Sequence, residues 1–242
     1  MIGRALLLTL LAAAPAWAQP PIPRRVVSLN LCTDQFLLLL APEKAVAVTM
    51  LAADPALSFV ANEARRVPAV RADAEAVLAL QPDLVLAAPW GAQATLAALE
   101  RRGVRVERIR PPSDFTAVAA ETRRLAALLA GMETQLTPTA EPHRSALLLE
   151  ARGYSAGPET LGGAVLRAAG FRNAGGRRLG LEDIVAHPPD LLVVTQAPAM
   201  PSMATDLLLH PVLAPLPRAV LPPALLVCGG PWSARAVALL RP

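Results

Sequence analysis

An internal repeat constrains this chain more than any other sequence feature. The segment Ala74–Leu86 matches Leu181–Val193 in register, with Glu, Ala, Pro, Asp and Leu at the same positions. Each copy has the pattern of a short helix, a Pro-Asp turn and a buried strand, because proline halts the helix and favours the turn. Two distant copies predict two lobes of similar construction. Such lobes flank a cleft, which is where ligands are held in this kind of architecture.

Apolar runs alternate with helical patterns along the chain. Continuous Val- and Leu-rich runs separated by helices are typical of parallel strands that are covered on both faces. We therefore expect an α/β fold of two Rossmann-like lobes, with parallel sheets flanking a ligand cleft. The predicted strands are Arg25–Leu29, Ala45–Thr49, Asp83–Ala87, Val104–Ile109, Ala146–Glu150, Asp190–Thr195 and Ala224–Cys228.

The clearest helical pattern runs from Ser113 to Ala130. Ser113 is the expected cap, an apolar stripe repeats at helical spacing, and Gly131 is the expected stop. The stripe consists of Phe115, Val118, Thr122, Leu125 and Leu129, and the other predicted helices are Leu31–Leu40, Asp73–Leu80, Ala92–Arg102, Pro158–Ala169, Leu181–Ala186 and Trp232–Leu240.

The first residues have the pattern of a secretory signal peptide. Arg4 precedes an apolar run, and Ala16-Trp17-Ala18 forms an A-x-A cleavage site. The run has about ten residues, fewer than the roughly 20 that span a bilayer. We expect residues 1–18 to be removed and the product to be periplasmic. The predicted lobes are 19–131 and 144–242, joined by a Pro- and Thr-containing connector at 132–143.

Charge, cysteine and histidine usage narrow the function classes. The net charge is +4, but the arginines are scattered and no basic run is interleaved with aromatic residues, so we expect no nucleic-acid partner. The chain has two cysteines, Cys32 and Cys228; export permits a disulfide, but their positions in different lobes predict that they do not pair. Metal binding is one alternative function for the chain. His143, His187 and His210 lack ligand spacing, so we expect no metal site.

Several segments together resemble the periplasmic substrate-binding proteins of ABC importers for cobalamin, haem or ferric siderophores, the class III, helical-backbone type. They are Arg25–Asp34, both repeats, Gly157–Gly170 and the closing Gly229–Trp232. The resemblance implies a monomeric protein that performs no chemistry and delivers its ligand to a membrane permease with a cytoplasmic ATPase. It also implies a long helix between the lobes. The sequence departs there, because only the connector occupies that position, which leaves the stiffness of the joint open.

The resemblance also implies site residues. In this family each lobe carries a surface glutamate that meets arginines of the permease, and the matching positions are Glu75 and Glu182. The ligand, with cobalamin expected first, a ferric siderophore second and haem third, would contact loops at the carboxyl ends of the strands. No resident cofactor is expected, and an alternative role for Tyr154 is that of a haem iron ligand. The predicted ligand-binding residues are Asn30, Thr33, Trp90, Tyr154, Ser155, Trp232 and Arg235.

A serine esterase is the alternative function. The segment from Gly153 to Gly157 reads G-x-S-x-G between an apolar strand and a helix, which is the setting of a nucleophile elbow with Ser155 as nucleophile. No HGGG-type oxyanion segment lies upstream, and the repeat has no role in a single-sheet hydrolase. The acids and bases that follow in the required order are Asp183, Asp190 or Asp206 and His187 or His210.

Overall fold

A computed structural model describes residues 21–131, 144–195 and 205–241 of the chain. The predicted signal peptide and connector lie outside the described residues, and the lobe boundaries stay predictions. The described strands form two parallel four-stranded sheets, which confirms the predicted two-lobed α/β fold. We call the lobe with the first sheet the N lobe and the other the C lobe. The strands are β1 Val26–Ser28, β2 Ala45–Ala47, β3 Leu84–Ala87, β4 Arg105–Arg108, β5 Arg144–Leu149, β6 Phe171–Asn173, β7 Leu191–Thr195 and β8 Arg218–Leu221.

The strand order is the same in both lobes. It is β2-β1-β3-β4 in the N lobe and β6-β5-β7-β8 in the C lobe, so each lobe places its first strand beside its third. The connecting helices pack on both faces of each sheet. The helices are α1 Leu31–Leu40, α2 Ala61–Ala64, α3 Ala74–Ala79, α4 Gln93–Arg101, α5 Phe115–Leu129, α6 Leu161–Ala168, α7 Leu181–Ala186 and α8 Ala234–Leu240. None of these described helices is long and apolar enough to cross a membrane.

The repeat has the predicted structure in both copies, and its aspartate has a specific role. In the N lobe, Asp83 accepts hydrogen bonds from the backbone N–H groups of Arg24 and Arg25, at 2.8 and 3.0 Å. In the C lobe, Asp190 accepts from the backbone N–H and the hydroxyl of Ser145, both at 2.7 Å. Each aspartate therefore binds the beginning of the first strand of its lobe and sets its register against the third strand.

Three local predictions are corrected. The segment predicted as a strand at Ala224–Cys228 begins within a 3-10 turn at Pro223–Leu225, and the strand lies earlier at β8. Two adjacent prolines, Pro222 and Pro223, lack the N–H that a strand ladder needs. The three-residue strand β6 was not predicted, because so short a run has no readable periodicity. Helix α5 is capped by Asp114 rather than Ser113, since the Asp114 carboxylate accepts from the N–H of Ala117 at 2.8 Å.

One hydrophobic core extends through both lobes. The faces of the sheets covered by α1 and α5 in the N lobe and by α6 and α8 in the C lobe belong to a single cluster of buried side chains. Phe36 and Leu125 contribute from the N lobe, and Leu148, Val165 and Trp232 from the C lobe. The opposite faces have separate, smaller clusters. The lobes are therefore packed directly against each other through their inner faces.

The prediction that Cys32 and Cys228 do not pair is wrong. They form a disulfide whose Cα atoms are 5.3 Å apart. Cys32 lies in the first turn of α1 and Cys228 in the loop that leads to Trp232, and these segments meet where the inner faces pack. The same loop touches the N lobe again, because a Cβ added to Gly229 would lie 2.3 Å from the carbonyl oxygen of Pro112. Residence in different lobes does not separate the two cysteines.

Candidate functional site at the interlobe junction

The loop after β1 is built around two predicted ligand residues. Asn30 is half-buried and caps α1, since its Oδ1 accepts from the N–H of Cys32 at 2.9 Å. Thr33 is fully buried, and its Oγ1 donates to the carbonyl of Asn30 at 2.8 Å and lies 2.7 Å from the hydroxyl of Ser28. The polar atoms of Thr33 therefore bind the loop itself, whereas Asn30 keeps a solvent-facing part.

Each lobe has an exposed aromatic ring at the carboxyl end of a strand. Trp90 follows β3 and is 55% exposed, and Tyr154 follows β5 and is 56% exposed. A guanidinium lies 5.9 Å from each ring centroid, Arg110 over Trp90 and Arg178 over Tyr154. This is cation–π distance. Each ring can stack on a flat ligand, and each arginine adds positive charge for an acidic group at the ligand's edge.

Ser155 is engaged by the backbone of its own lobe. Its hydroxyl donates to the carbonyl of Arg177 at 2.5 Å and accepts from the N–H groups of Gly176 and Arg177 at 3.0 and 3.3 Å. These are the hydrogen bonds of the Ser155 side chain within the described residues, and none involves a histidine. The Ser155 hydroxyl donates its proton to a carbonyl rather than to a base. Its geometry is therefore that of a residue that holds the loop at residues 176 and 177, and not that of a nucleophile.

Trp232 and Arg235 lie together at the interface of the lobes. The Trp232 side chain is 2% exposed, and its ring is 5.3 Å from that of Phe36 and stacked at 6.1 Å on Phe59, both from the N lobe. The indole N–H donates to the carbonyl of Cys228 at 3.2 Å. The ring has no open face for a ligand in this structure, so Trp232 is placed as an interlobe packing residue. Arg235 is exposed and sits 4.7 Å over the Phe59 ring.

A cavity of about 610 Å³ opens beside this aromatic cluster, between the two lobes. Its volume falls in the range of small-molecule sites, roughly 300–1,000 Å³. One wall, here called the N wall, is residues 55–62 after β2, and the other, the C wall, is residues 222–239 after β8. Sequence reasoning missed the N wall because that segment has no helical or strand periodicity. The lining residues are Pro55, Ser58, Phe59, Ala61, Asn62, Pro222, Ala224, Leu225, Arg235, Ala238 and Leu239.

Two buried side chains of α1 hold the segment that carries the N wall. The Asp34 carboxylate accepts from the N–H and the hydroxyl of Thr49, at 3.2 and 2.5 Å, and Gln35 Oε1 accepts from the N–H of Phe59 at 2.8 Å. Burial raises the pKa of Asp34 to about 6, and hydrogen bonds from Ser28 and Thr49 oppose the rise. The chain is therefore held at Thr49, before the N wall, and at Phe59, within it, by groups that are shielded from water.

The predicted docking residues occupy equivalent positions. Glu75 is the second residue of α3 and Glu182 the second residue of α7, and both are exposed. Each helix leads into the third strand of its sheet, so its first turn lies at the carboxyl end of that sheet. Both glutamates are on the edge at which the strand-end loops lie. Within the described residues, no group of three or more histidine, cysteine, aspartate or glutamate side chains is arranged to hold a metal ion.

Comparisons with known proteins place this fold among periplasmic binding proteins. No family model and no curated protein matches the chain. A solved periplasmic heme-binding protein from Pseudomonas aeruginosa is 25% identical, with a TM-score of 0.66 over 90% of this chain and 91% of that one. The periplasmic heme-binding protein of Vibrio cholerae is 21% identical, with a TM-score of 0.68 over 88% and 96%.

The vitamin B12-binding protein of Vibrio cholerae has the same fold at lower identity. It is 15% identical, with a TM-score of 0.60 over 91% of this chain and 96% of that chain. The resemblance drawn from the sequence is thereby confirmed, and the two-lobed architecture extends over nearly the whole length of each matched structure. The two separate sheets of the described residues also differ from the one sheet of a single-sheet hydrolase.

Proposed function

We propose that this chain is the periplasmic solute-binding component of an ABC importer, which holds a small ligand between its lobes and delivers it to a membrane permease. The observation that carries the proposal is the pair of lobes of one topology, packed around an interlobe cavity, in the architecture of solved periplasmic binding proteins. No bond of the ligand is made or broken in this function. Affinity comes from stacking, apolar burial and a few hydrogen bonds in a preformed site.

The ligand class that fits is a flat macrocycle or an iron chelate. Trp90 and Tyr154 offer open ring faces, with Arg110 and Arg178 beside them, on strand-end loops outside the lining of the cavity. Arg235 lines the cavity itself and offers positive charge beside the Phe59 ring. Within the described residues no carboxylate forms an ion pair with any of these three arginines. Conjugated rings with acidic edges would use both features. Asn30 adds a polar group at the same strand-end edge.

An absorbance titration tests the ligand class. The purified protein is titrated separately with cyanocobalamin, a ferric hydroxamate siderophore and hemin, each of which is coloured. We expect a saturable spectral change with one of the three, reduced by Trp90→Ala or by Tyr154→Ala. A Tyr154→Phe variant that alters the hemin spectrum would support the iron-ligand role of that residue. No change with any of the three probes would contradict the proposed function.

We further propose that Glu75 and Glu182 dock the protein onto the permease. A charge on each lobe lets one rigid body be held at two points, and it guides encounter with basic residues of the partner. In a cell that depends on the importer, the double variant Glu75→Arg, Glu182→Arg should abolish uptake while ligand affinity in solution stays unchanged. Glu63→Arg, a reversal at another exposed position, is the matched control. Lost ligand affinity in the double variant would mean that these side chains build the cleft instead.

The location and the assembly complete the proposal. Periplasmic neighbours of the same fold support export, and the A-x-A site predicts a mature protein that begins at Gln19. Amino-terminal sequencing of the periplasmic protein checks this, and a retained Met1 would contradict it. The protein is proposed to act as a monomer, with a cytoplasmic ATPase driving the permease.

A further inference from the structure

One turn near the beginning of α1 binds three different parts of the molecule through four consecutive side chains, Cys32, Thr33, Asp34 and Gln35. Thr33 binds the loop that follows β1, through the carbonyl of Asn30. Asp34 and Gln35 bind the segment that carries the N wall of the cavity. Cys32 crosses to the C lobe. The turn is therefore a junction between the N-lobe sheet and both walls of the cavity.

The bonds to the N wall are made in the protein interior. Asp34 and Gln35 have no exposed surface, and their partners Thr49 and Phe59 lie on either side of Pro55, the first residue of the wall. A buried carboxylate that loses its hydrogen bonds leaves an uncompensated group behind, which is costly. Movement of the N wall away from α1 is therefore opposed at Phe59 within the wall and at Thr49 on its amino-terminal side.

The bond to the C wall is covalent. Cys228 lies in the chain between Leu225 and Arg235, both of which line the cavity. The residues around it are tightly packed, because Gly229 touches the backbone of Pro112 and the Trp232 ring lies between Phe36 and Phe59. The C wall therefore cannot move away from α1 without stretching the loop or disrupting this packing.

We propose that this turn sets the width of the interlobe cavity, with Cys32 and Cys228 as positioning residues that hold the two walls at the spacing the ligand needs. A site held in its binding geometry avoids the cost of ordering when the ligand arrives. The disulfide lies at the interface of the lobes and joins segments that are far apart in the chain, so it is a covalent link between the lobes in addition to the chain itself. The effect of this wall-to-wall distance on ligand affinity rests on the proposed function. The distance itself is set by the protein and does not rest on it.

The test measures the distance between the lobes and the affinity separately. Exposed Glu63 of the N lobe and exposed Arg172 of the C lobe are replaced by cysteine and spin-labelled, in the native background and in a Cys32→Ser, Cys228→Ser background. Without ligand, pulsed electron paramagnetic resonance should give a narrow distribution of label-to-label distances in the native background. In the serine background the distribution should be broader and its mean distance longer. Affinity for the coloured probe that binds the native protein should fall on the order of tenfold. The same distribution in both backgrounds would overturn the inference.

Two controls keep the outcome decisive. Val77→Ala removes buried volume from the opposite face of the N-lobe sheet, so it should lower stability without changing the distribution. If the serine variant does not fold, the folded disulfide protein, labelled through thioether bonds, is treated with a dithiol, which reduces the disulfide to two thiols and is itself oxidised to a cyclic disulfide. Circular dichroism confirms that the lobes remain folded. If no probe binds the native protein, the proposed function fails, and the distance distributions still decide the inference.

Discussion

The two lobes share a scaffold and differ in how each holds its strand-end loops. Both have the same strand order and the same aspartate at the start of the third strand. In the N lobe the segment after β2 is held by Asp34 and Gln35, which are inaccessible to solvent. In the C lobe the segment after β6 is held by half-buried Ser155, which binds backbone groups of residues 176 and 177. The repeat therefore encodes the frame of each lobe, and the loops facing the cleft have their own chemistry.

The tryptophans give the largest expected difference between the lobes. Trp232→Ala should lower the free energy of unfolding by about 3–5 kcal/mol, because it empties a buried site against Phe36 and Phe59. Trp90→Ala should change it by about 0.5 kcal/mol or less, because the ring is exposed. Urea denaturation followed by circular dichroism measures both. Equal losses in the two variants would show that Trp232 does not join the lobes.

A milder change at the same position sharpens the assignment. Trp232→Phe keeps an aromatic ring between Phe36 and Phe59 but removes the N–H that donates to Cys228. We expect a loss intermediate between wild type and Trp232→Ala. A loss as large as that of the alanine variant would place the stabilisation in the hydrogen bond rather than in ring packing.

Buried Asp34 in the N lobe and exposed Asp190 in the C lobe should respond to pH in opposite directions. Burial raises the pKa of Asp34 from 3.8 to about 6, so between these values the folded chain binds a proton that the unfolded chain has released. Stability from this group therefore falls as pH rises through that window. Hydrogen bonds from Ser145 lower the pKa of Asp190, so its contribution is present at neutral pH and lost as pH falls below the ordinary range.

The variant Asp34→Asn isolates the N-lobe effect. The free energy of unfolding of wild type minus that of the variant should decrease between pH 4 and pH 7 by at most about 3 kcal/mol, the equivalent of the shift in pKa. Urea midpoints at several pH values across this range measure it. A difference that stays constant over the range would mean that Asp34 ionises freely in the folded protein and does not bear the cost of burial.

The sequence predicted the two lobes well because each copy of the repeat contains its own turn signal. Proline and aspartate mark the turn before the third strand in both copies, so the helix-turn-strand unit and the pair of similar lobes follow from local pattern, whereas the strand order was not predicted. The meeting of the lobes was missed for a physical reason. The apolar sequence of α1 indicates a buried helix, and nine of its ten residues are buried, but the sequence does not show which elements cover it, and the pairing of Cys32 with Cys228 depends on that contact. The same limit applies to Trp232, whose rarity suggested a ligand and whose environment is the interlobe core.

Irregular segments were the other source of error. The N wall at residues 55–62 follows a three-residue strand and a 3-10 turn, and its regular structure is limited to the first two residues of helix α2. Its conformation is set by Asp34 and Gln35 from α1, and no local pattern records those bonds. The cleft between the lobes was predicted, but the residues of the N wall were not, although Arg235 on the opposite wall was included. Hydrogen bonds between elements, rather than the local conformational preferences of the sequence, determine the structure of this part of the site.

The smallest expected effect concerns the tether of the C lobe. Ser155→Ala should lower the free energy of unfolding by about 1 kcal/mol, the net worth of a typical hydrogen bond, because the hydroxyl is half-buried and water can replace part of its bonding. Ser113→Ala is the matched control: Ser113 is exposed and makes no side-chain hydrogen bond in the described residues, so a loss of about 0.5 kcal/mol or less is expected.

A fluorophosphonate that labels serine nucleophiles should leave the native protein unmodified, because the Ser155 hydroxyl donates its proton to the carbonyl of Arg177. Labelling at Ser155 would show instead that its hydroxyl can give its proton to a base. Ser155 would then match Asp34 and Gln35 of the N lobe in position but not in role.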